Sequence, residues 1–248
     1  MLFRSTTAGD AVSVKMRTEA LRAGERIPRG PFDVVLLGQV LSELDETANE
    51  ATRIASHLAL VDALSRELAA DGSLVIVEPA LRDRTRHLHA LRDAWVARGG
   101  VPFAPCLHAA PCPALLREHD WCHEDLAVDL PAWLVPVARA AGLRYQGLSF
   151  SYLVLRKDGR TLGSMLPAAR LRSVSDLLRT KGKTEVFVCG PFPDGPKMER
   201  LRRLDRHASE ANSGWDKQRR GTLLELDLPP DGVRIGEDAK VSIVAEVP

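Results

Sequence analysis

The 248-residue chain lacks the marks of several large protein classes. No apolar run approaches the roughly 20 residues that cross a bilayer. The opening MLFRSTTAGDAVSVKMR has neither the apolar centre nor the small-residue cleavage site of a secretory signal. A soluble protein in a reducing compartment is expected, where unligated thiols stay reduced and disulfides are disfavoured. Phosphate-cradling P-loops, G-x-S-x-G nucleophile elbows and H-E-x-x-H zinc helices are missing, which removes the enzymes that depend on them. There is no internal repeat and no low-complexity tract. Cysteine is scarce too, with only four residues.

What is present is an ordinary globular composition, 45% hydrophobic and 27% charged. The net charge of +1 conceals an imbalance: Phe150 to Arg220 holds sixteen Lys/Arg against eight Asp/Glu. Arg170, Arg172, Arg179, Lys181, Lys183, Arg200, Arg202, Arg203, Arg206, Lys217, Arg219 and Arg220 form short clusters there. Such clusters suit phosphate contacts, and equally a solvated face.

Punctuation sets the expected elements. PFDVVLLGQVLSEL reads as a buried strand from Phe32 to Leu37, covered on both faces, then a Gly38 turn into a helix. ATRIASHLALVDALSRELAADG has helical spacing and a stop at Gly72. SLVIVEPA is a second buried strand, and LRDRTRHLHALRDAWVARGG a charged helix. Strand, helix, strand, helix implies a doubly wound α/β sheet. Further on, LPAWLVPVARAAGL reads as a helix and RYQGLSFSYLVLRKDG as one bent strand or two short ones. TEVFVCG is a strand, MERLRRLDRHASEA a charged helix, and TLLELDL with KVSIVAEV a pair split by LPPDG.

The segment VPFAPCLHAAPCPALLREHDWCHEDL interrupts this rhythm. Pro102, Pro105, Pro111 and Pro113 each remove a backbone donor, leaving a stiff loop. Cys106, Cys112 and Cys122 lie in it, while Cys189 ends a distant strand. Five, nine and sixty-six residues separate successive cysteines, so there is no C-x-x-C zinc knuckle. Four thiolates with this spread suit an iron–sulfur cluster; zinc and unligated thiols are the alternatives. His108 and His123 are expected to hydrogen-bond around the ligands rather than replace one. Trp121 and Trp215 could stack on bases, although a tryptophan beside a cluster more often shields it from water. His57, His87, His89, His119 and His207 belong to no motif.

FDVVLLGQVLSEL followed by GSLVIVEPAL resembles the second half of a class I S-adenosylmethionine-dependent methyltransferase. That resemblance places Gly38, Gln39, Ser42 and Glu78 at the carboxyl edge of the sheet, where the cofactor would bind. With Cys106-Leu107-His108, Pro111-Cys112-Pro113, Trp121-Cys122-His123 and Cys189, the chain from about Phe32 to Trp215 resembles the methyltransferase-like assembly factors of the mitochondrial small ribosomal subunit and their bacterial homologues. The resemblance implies a 4Fe-4S cluster on Cys106, Cys112, Cys122 and Cys189. It also implies small-subunit ribosomal RNA and ribosomal proteins as partners, with neither membrane nor DNA. The family's glycine-rich cofactor loop has no match before Phe32, so the expected fold is a partial methyltransferase-like sheet lacking its N-terminal half. The expected division is an N-terminal remnant (1–31), this partial domain (32–157) with its cysteine insertion (101–125), and a basic α+β C-terminal lobe (158–248). A degenerate assembly factor is the expected function, an active S-adenosylmethionine-dependent rRNA methyltransferase the alternative. Bacterial cytoplasm is the expected compartment, with the mitochondrial matrix as alternative.

Overall fold

A computed structural model describes residues 2–4, 11–13, 27–143, 147–227 and 232–246. Strands β1 (Leu2–Arg4) and β2 (Ala11–Ser13) pair antiparallel. The first large sheet contains β3 (Phe32–Gly38), β4 (Leu68–Pro79), β5 (Pro102–Ala104), β6 (Glu124–Leu126) and β7 (Leu148–Arg156). Its order is β3-β4-β7-β5, with β6 also on β7; β3 and β4 are parallel and the remaining pairings antiparallel. The chain is thus an α/β protein with mixed sheets.

Helices α1 (Glu50–Arg66) and α2 (Arg82–Ala97) connect these strands. Asn49 caps α1, its side chain accepting from Thr52 N at 3.0 Å and so satisfying one amide that the first turn leaves open. The side chains alternate along β4 and β7, and Leu74, Ile76, Leu153 and Leu155 all reach one core. There they meet Leu58, Val61 and Leu64 of α1 and Leu88 and Leu91 of α2.

The expectation that β3 is covered on both faces is corrected. Val34 and Leu36 are each 63% exposed, because the described helices contribute to the core on the opposite side only. The first helix also ends earlier than expected, at Arg66, and Leu68 through Gly72 already belong to β4. Gly72 is needed there: a Cβ at that position would stand 2.6 Å from the Phe32 carbonyl oxygen.

A buried histidine pair couples the two helices. His57 Nδ1 and His87 Nε2 lie 2.8 Å apart, so one ring donates and the other accepts. Burial, then the charges of His57, Arg53 and Arg84, pushes His87 down to about 4. Burial and Arg53 also lower His57, against the Leu44 backbone and Asp45. Both groups therefore protonate more easily in the unfolded chain than in the folded one. Stability should be level above about pH 6.5 and fall as the pH drops toward about 4, with His87 alone accounting for at most roughly 2 kcal/mol by about pH 5. Thermal melts across that range check this, and an unchanged Tm would contradict it.

Short helices α3 (Val135–Ala140) and α4 (Leu162–Met165) lie on either side of β7 in the chain. Residues 144–146, part of the expected RYQG strand, lie outside the described residues, as do residues 228–231 of the LPPDG turn. The second sheet contains β8 (Leu171–Ser173), β9 (Leu178–Thr180), β10 (Lys183–Phe192), β11 (Gly195–Leu204), β12 (Leu223–Leu226), β13 (Arg234–Ile235) and β14 (Val241–Ala245). Its order is β13-β11-β10-β8-β12-β14, with β9 also on β10.

The expected helix around MERLRRLDRHASEA is instead β11, followed by a 3-10 turn at Asp205–His207. Leu201 and Arg203 are buried while Arg200 and Arg202 are not, an alternation with the period of a strand. The Pro193-Asp194 turn leads into Gly195 at φ 112, the left-handed region that glycine tolerates, and closes a hairpin in register from Phe192↔Gly195 to Lys183↔Leu204. Turn chemistry and alternation override the helical propensity of the charged residues. Trp215 is fully buried in the core of this sheet, donating from Nε1 to Thr184 Oγ1 at 2.7 Å, so it is no stacking platform for a base.

Candidate metal centre

The two sheets meet at the cysteines. Cys106, Cys112, Cys122 and Cys189 all line one cavity of about 40 Å³, with Leu88, Pro105, Ala114, Leu153 and Met198 among its apolar walls. All four are free thiols. The first three come from the loop between β5 and β6, and the fourth from the middle of β10.

Helix α2 shapes the loop through residues three or four apart on one face, the spacing that brings side chains together on a helix. Arg86 Nη1 donates to the carbonyls of Ala114 at 2.9 Å, Arg117 at 2.8 Å and Asp120 at 2.7 Å. His89 Nε2 accepts the Cys122 amide at 3.1 Å, which requires a neutral ring with its proton on Nδ1. Burial, with Arg92, Arg86 and Arg172 nearby, pushes His89 down to about 3 and keeps it in that state. Asp93 accepts the Cys112 amide with both oxygens, at 3.0 and 2.9 Å. Arg92, 2% exposed, pairs with Asp93 at 2.7 Å and donates to the carbonyls of His108 and Ala110.

The second sheet supplies a matching set. Arg172 on β8 and Cys189 on β10 are cross-strand partners. Arg172 Nη1 donates to Cys122 Sγ at 3.2 Å, and its Nη2 pairs with buried Glu124. Arg220 donates to the carbonyls of His123 and Val174 and stands 3.5 Å from Asp125. Residues 122–125 are thereby clasped by Arg172 of β8 and by Arg220 of the turn before β12. Arg172 and Arg203 are each 3% exposed, and Arg203 is bonded to Asn212 and Asp216. These residues of the basic clusters serve the fold rather than a surface.

Burial pushes the Cys112 thiol up to about 12, reinforced by Cys106 and Cys122, and pushes Cys189 well above its usual range. Burial likewise raises Cys106, against the nearby Arg92 and Arg172. Four thiolates in this apolar cavity would repel one another unless a cation stood among them. His108 Nε2 is 3.9 Å from Cys189 Sγ. His123 stacks on Trp121 at 5.7 Å. Tyr152 lines the cavity, and burial raises its phenol.

Among the described residues, no group of three or more His, Cys, Asp or Glu side chains is placed to hold a metal ion. The four thiols nonetheless line one cavity, and the donor set, the apolar walls and the guanidiniums of Arg92 and Arg172 beside the sulfurs fit an iron–sulfur cluster.

The residues expected at a methyl-donor site also gather, at the ends of β3 and β4. Gln39, at φ 57, donates its amide to the Val77 carbonyl at 2.7 Å. Ser42 Oγ donates to the Gln39 carbonyl at 3.3 Å. Glu78, 2% exposed, accepts the amides of Leu41 at 2.9 Å and Ser42 at 3.1 Å. Gly38 lies at the exposed strand end, with nothing within 4 Å of a Cβ built on it. The carboxylate is turned inward and holds the strand-end turn, which does not fit a cofactor contact.

The molecule is thus an α/β protein whose two mixed sheets are joined around a four-cysteine cavity. Residues 5–198 match the family described as mitochondrial small ribosomal subunit Rsm22, and the chain belongs to that family. It is therefore a protein related to the small ribosomal subunit. No curated protein matches the chain. Among the described residues, no helix is long and apolar enough to cross a membrane.

Proposed function

We propose that this chain is an assembly factor of the small ribosomal subunit that binds ribosomal RNA, and that Cys106, Cys112, Cys122 and Cys189 hold a 4Fe-4S cluster joining its two sheets. The observation carrying this reading is the convergence of the four cysteines, three from one sheet's loop and one from the other sheet, on a single cavity. When bound, the cluster would supply four thiolate bonds as a cross-link between sheets. Arg92 and Arg172 offset the charge of the thiolates, while Asp93 and His89 orient the amides of Cys112 and Cys122. Zinc is the competing occupant and would need the sulfurs to close on one point at about 2.3 Å.

The sheet order, two parallel strands followed by antiparallel β7 and then β5, supports a methyltransferase-like half-sheet. The inward carboxylate of Glu78 speaks for a structural role of that edge, and we assign no methyl-transfer step to it. The family's mitochondrial description favours the mitochondrial matrix as the compartment. Ribosomal proteins are the expected neighbours on the subunit.

Binding of a labelled small-subunit rRNA transcript tests the RNA reading. Log affinity should fall linearly with log salt, by about 0.7 per phosphate contacted on single strands and about 0.9 on duplex. A salt-independent affinity, or none at low salt, would contradict it.

A further inference from the structure

The register of the β10–β11 hairpin sets Phe187 opposite Arg200 and Cys189 opposite Met198. Directly opposed residues share one face of an antiparallel pair. Val186, Val188 and Leu201 alternate onto the other face and fill the core of the second sheet. Phe187 and Met198 are left to the face that meets the cysteine loop, and both remain half-buried there. With Trp121 and His123 of that loop, Val174 after β8 and the Arg220 side chain, they line a hollow of about 190 Å³. Met198 and His123 also line the cysteine cavity, so hollow and cavity share a wall.

Size and chemistry narrow what this hollow can hold. Pockets for whole cofactors run to about 300–1,000 Å³. At 190 Å³ the space suits one flat ring. Aromatic and apolar walls with a few polar groups are the lining that ring-shaped ligands select. His123 lies nearly parallel to the Trp121 indole, with 19° between the planes and 5.7 Å between the centres. One face of the indole is therefore stacked already, and a ligand would take the other. The Arg200 guanidinium stands 5.7 Å from the centre of the Phe187 ring and is fixed by Glu185 at 2.5 Å. Aromatic rings with an arginine beside them are the platforms on which single-stranded nucleic acids stack their bases. A fixed cation there suits a ring that carries its own phosphates, which favours RNA over an apolar side chain of a protein.

We propose that this hollow is a stacking pocket for one base of single-stranded RNA, with Trp121 and Phe187 as its platforms. The proposal rests on the RNA-binding reading above and adds a contact to a base where that reading invokes phosphates alone. A base so held would rest against the loop that carries three of the four cysteines.

The test uses the full chain and two fluorescein-labelled single-stranded RNA oligonucleotides of equal length, one with bases and one abasic, followed by anisotropy over a range of salt. The unmodified chain should bind the base-bearing strand about fivefold or more tightly. W121A and F187A should each remove most of that preference while leaving the log–log salt slope unchanged, because stacking releases no counterions. W121F keeps an aromatic ring and should bind nearly as the unmodified chain does; it and F187A decide the matter if W121A does not fold. W133A makes the same kind of change at a tryptophan that is 74% exposed and outside the hollow, and should bind unchanged. Equal binding of the two strands by the unmodified chain would overturn the pocket while leaving RNA binding in place. An intact base preference in W121A and F187A, or an equal loss in W133A, would do the same. Loss of iron from W121A with base preference intact would make Trp121 a shield for the cysteine loop and overturn the proposal. Quenching of the Trp121 fluorescence by isolated small-subunit proteins and not by RNA would assign the hollow to a protein partner and overturn it too. Absence of RNA binding by the unmodified chain would overturn this proposal and the RNA reading together.

Discussion

Cys189→Ser is expected to have the largest effect of any single substitution, abolishing stoichiometric iron binding and lowering the stability of the metal-loaded protein by several kcal/mol. Metal-binding free energy becomes folding free energy when the ligands are assembled only in the folded chain. Cys189 is the sole cysteine of the second sheet, so under the proposed cluster its loss would remove the bond between sheets as well as one ligand. A buried hydroxyl in place of a thiol also has a cost without metal, about 1–3 kcal/mol when it lacks a partner. The comparison must therefore be made with and without chelator. The difference between Cys189→Ser and the unmodified chain should be large in loaded protein and small after chelation. Equal differences in the two states would mean that Cys189 is only a packed thiol.

Arg172→Leu is expected to be nearly as damaging, and without any requirement for metal. Arg172 and Glu124 are 3% and 4% exposed and paired across the two sheets. Removing one partner strands a buried charge, at about 3–5 kcal/mol, whereas replacing both with apolar residues is often close to neutral. Urea unfolding of Arg172→Leu, Glu124→Leu and the double variant should give two large losses and a double variant less destabilised than their sum. Strict additivity would show that the pair does not carry the contact. Arg172 also donates to Cys122 Sγ, so the single variant should bind iron less firmly.

Much of the first sheet was legible because its strands are continuous apolar runs bounded by helix signals. FDVVLLG is β3, SLVIVEP of the expected SLVIVEPA strand lies within β4, and LVLR ends β7. The exposure of Val34 and Leu36 was not legible, since an apolar run does not say how many of its faces are covered. At β11 the charged residues of MERLRRL suggested a helix. The alternation of Leu201 with Arg200 and Arg202, and the Asp194-Gly195 turn before it, carry the signal that decides for a strand.

The cysteines were legible as a set because they are few, and their shared cavity is consistent with that reading. Their supports were not. Arg172 and Arg220 look like any other basic residue of a cluster, and only pairing with residues 122–125 across the fold separates them from Arg202 or Arg206. On α2 a signal did exist: Arg82, Arg86, His89 and Asp93 recur every three or four residues, a polar stripe too regular for a solvated face. Glu78 was placed correctly at the strand end, but its inward turn toward Leu41 and Ser42 depends on the loop conformation set by Gln39.

The most direct test of the joined-sheet account is the iron and acid-labile sulfide content of the full chain purified without oxygen, measured beside its visible absorption spectrum. About four irons and four sulfides per chain, with the broad absorption of a cubane lost in Cys189→Ser, is the expected result. Colourless protein carrying one zinc, or no metal at all, would contradict it.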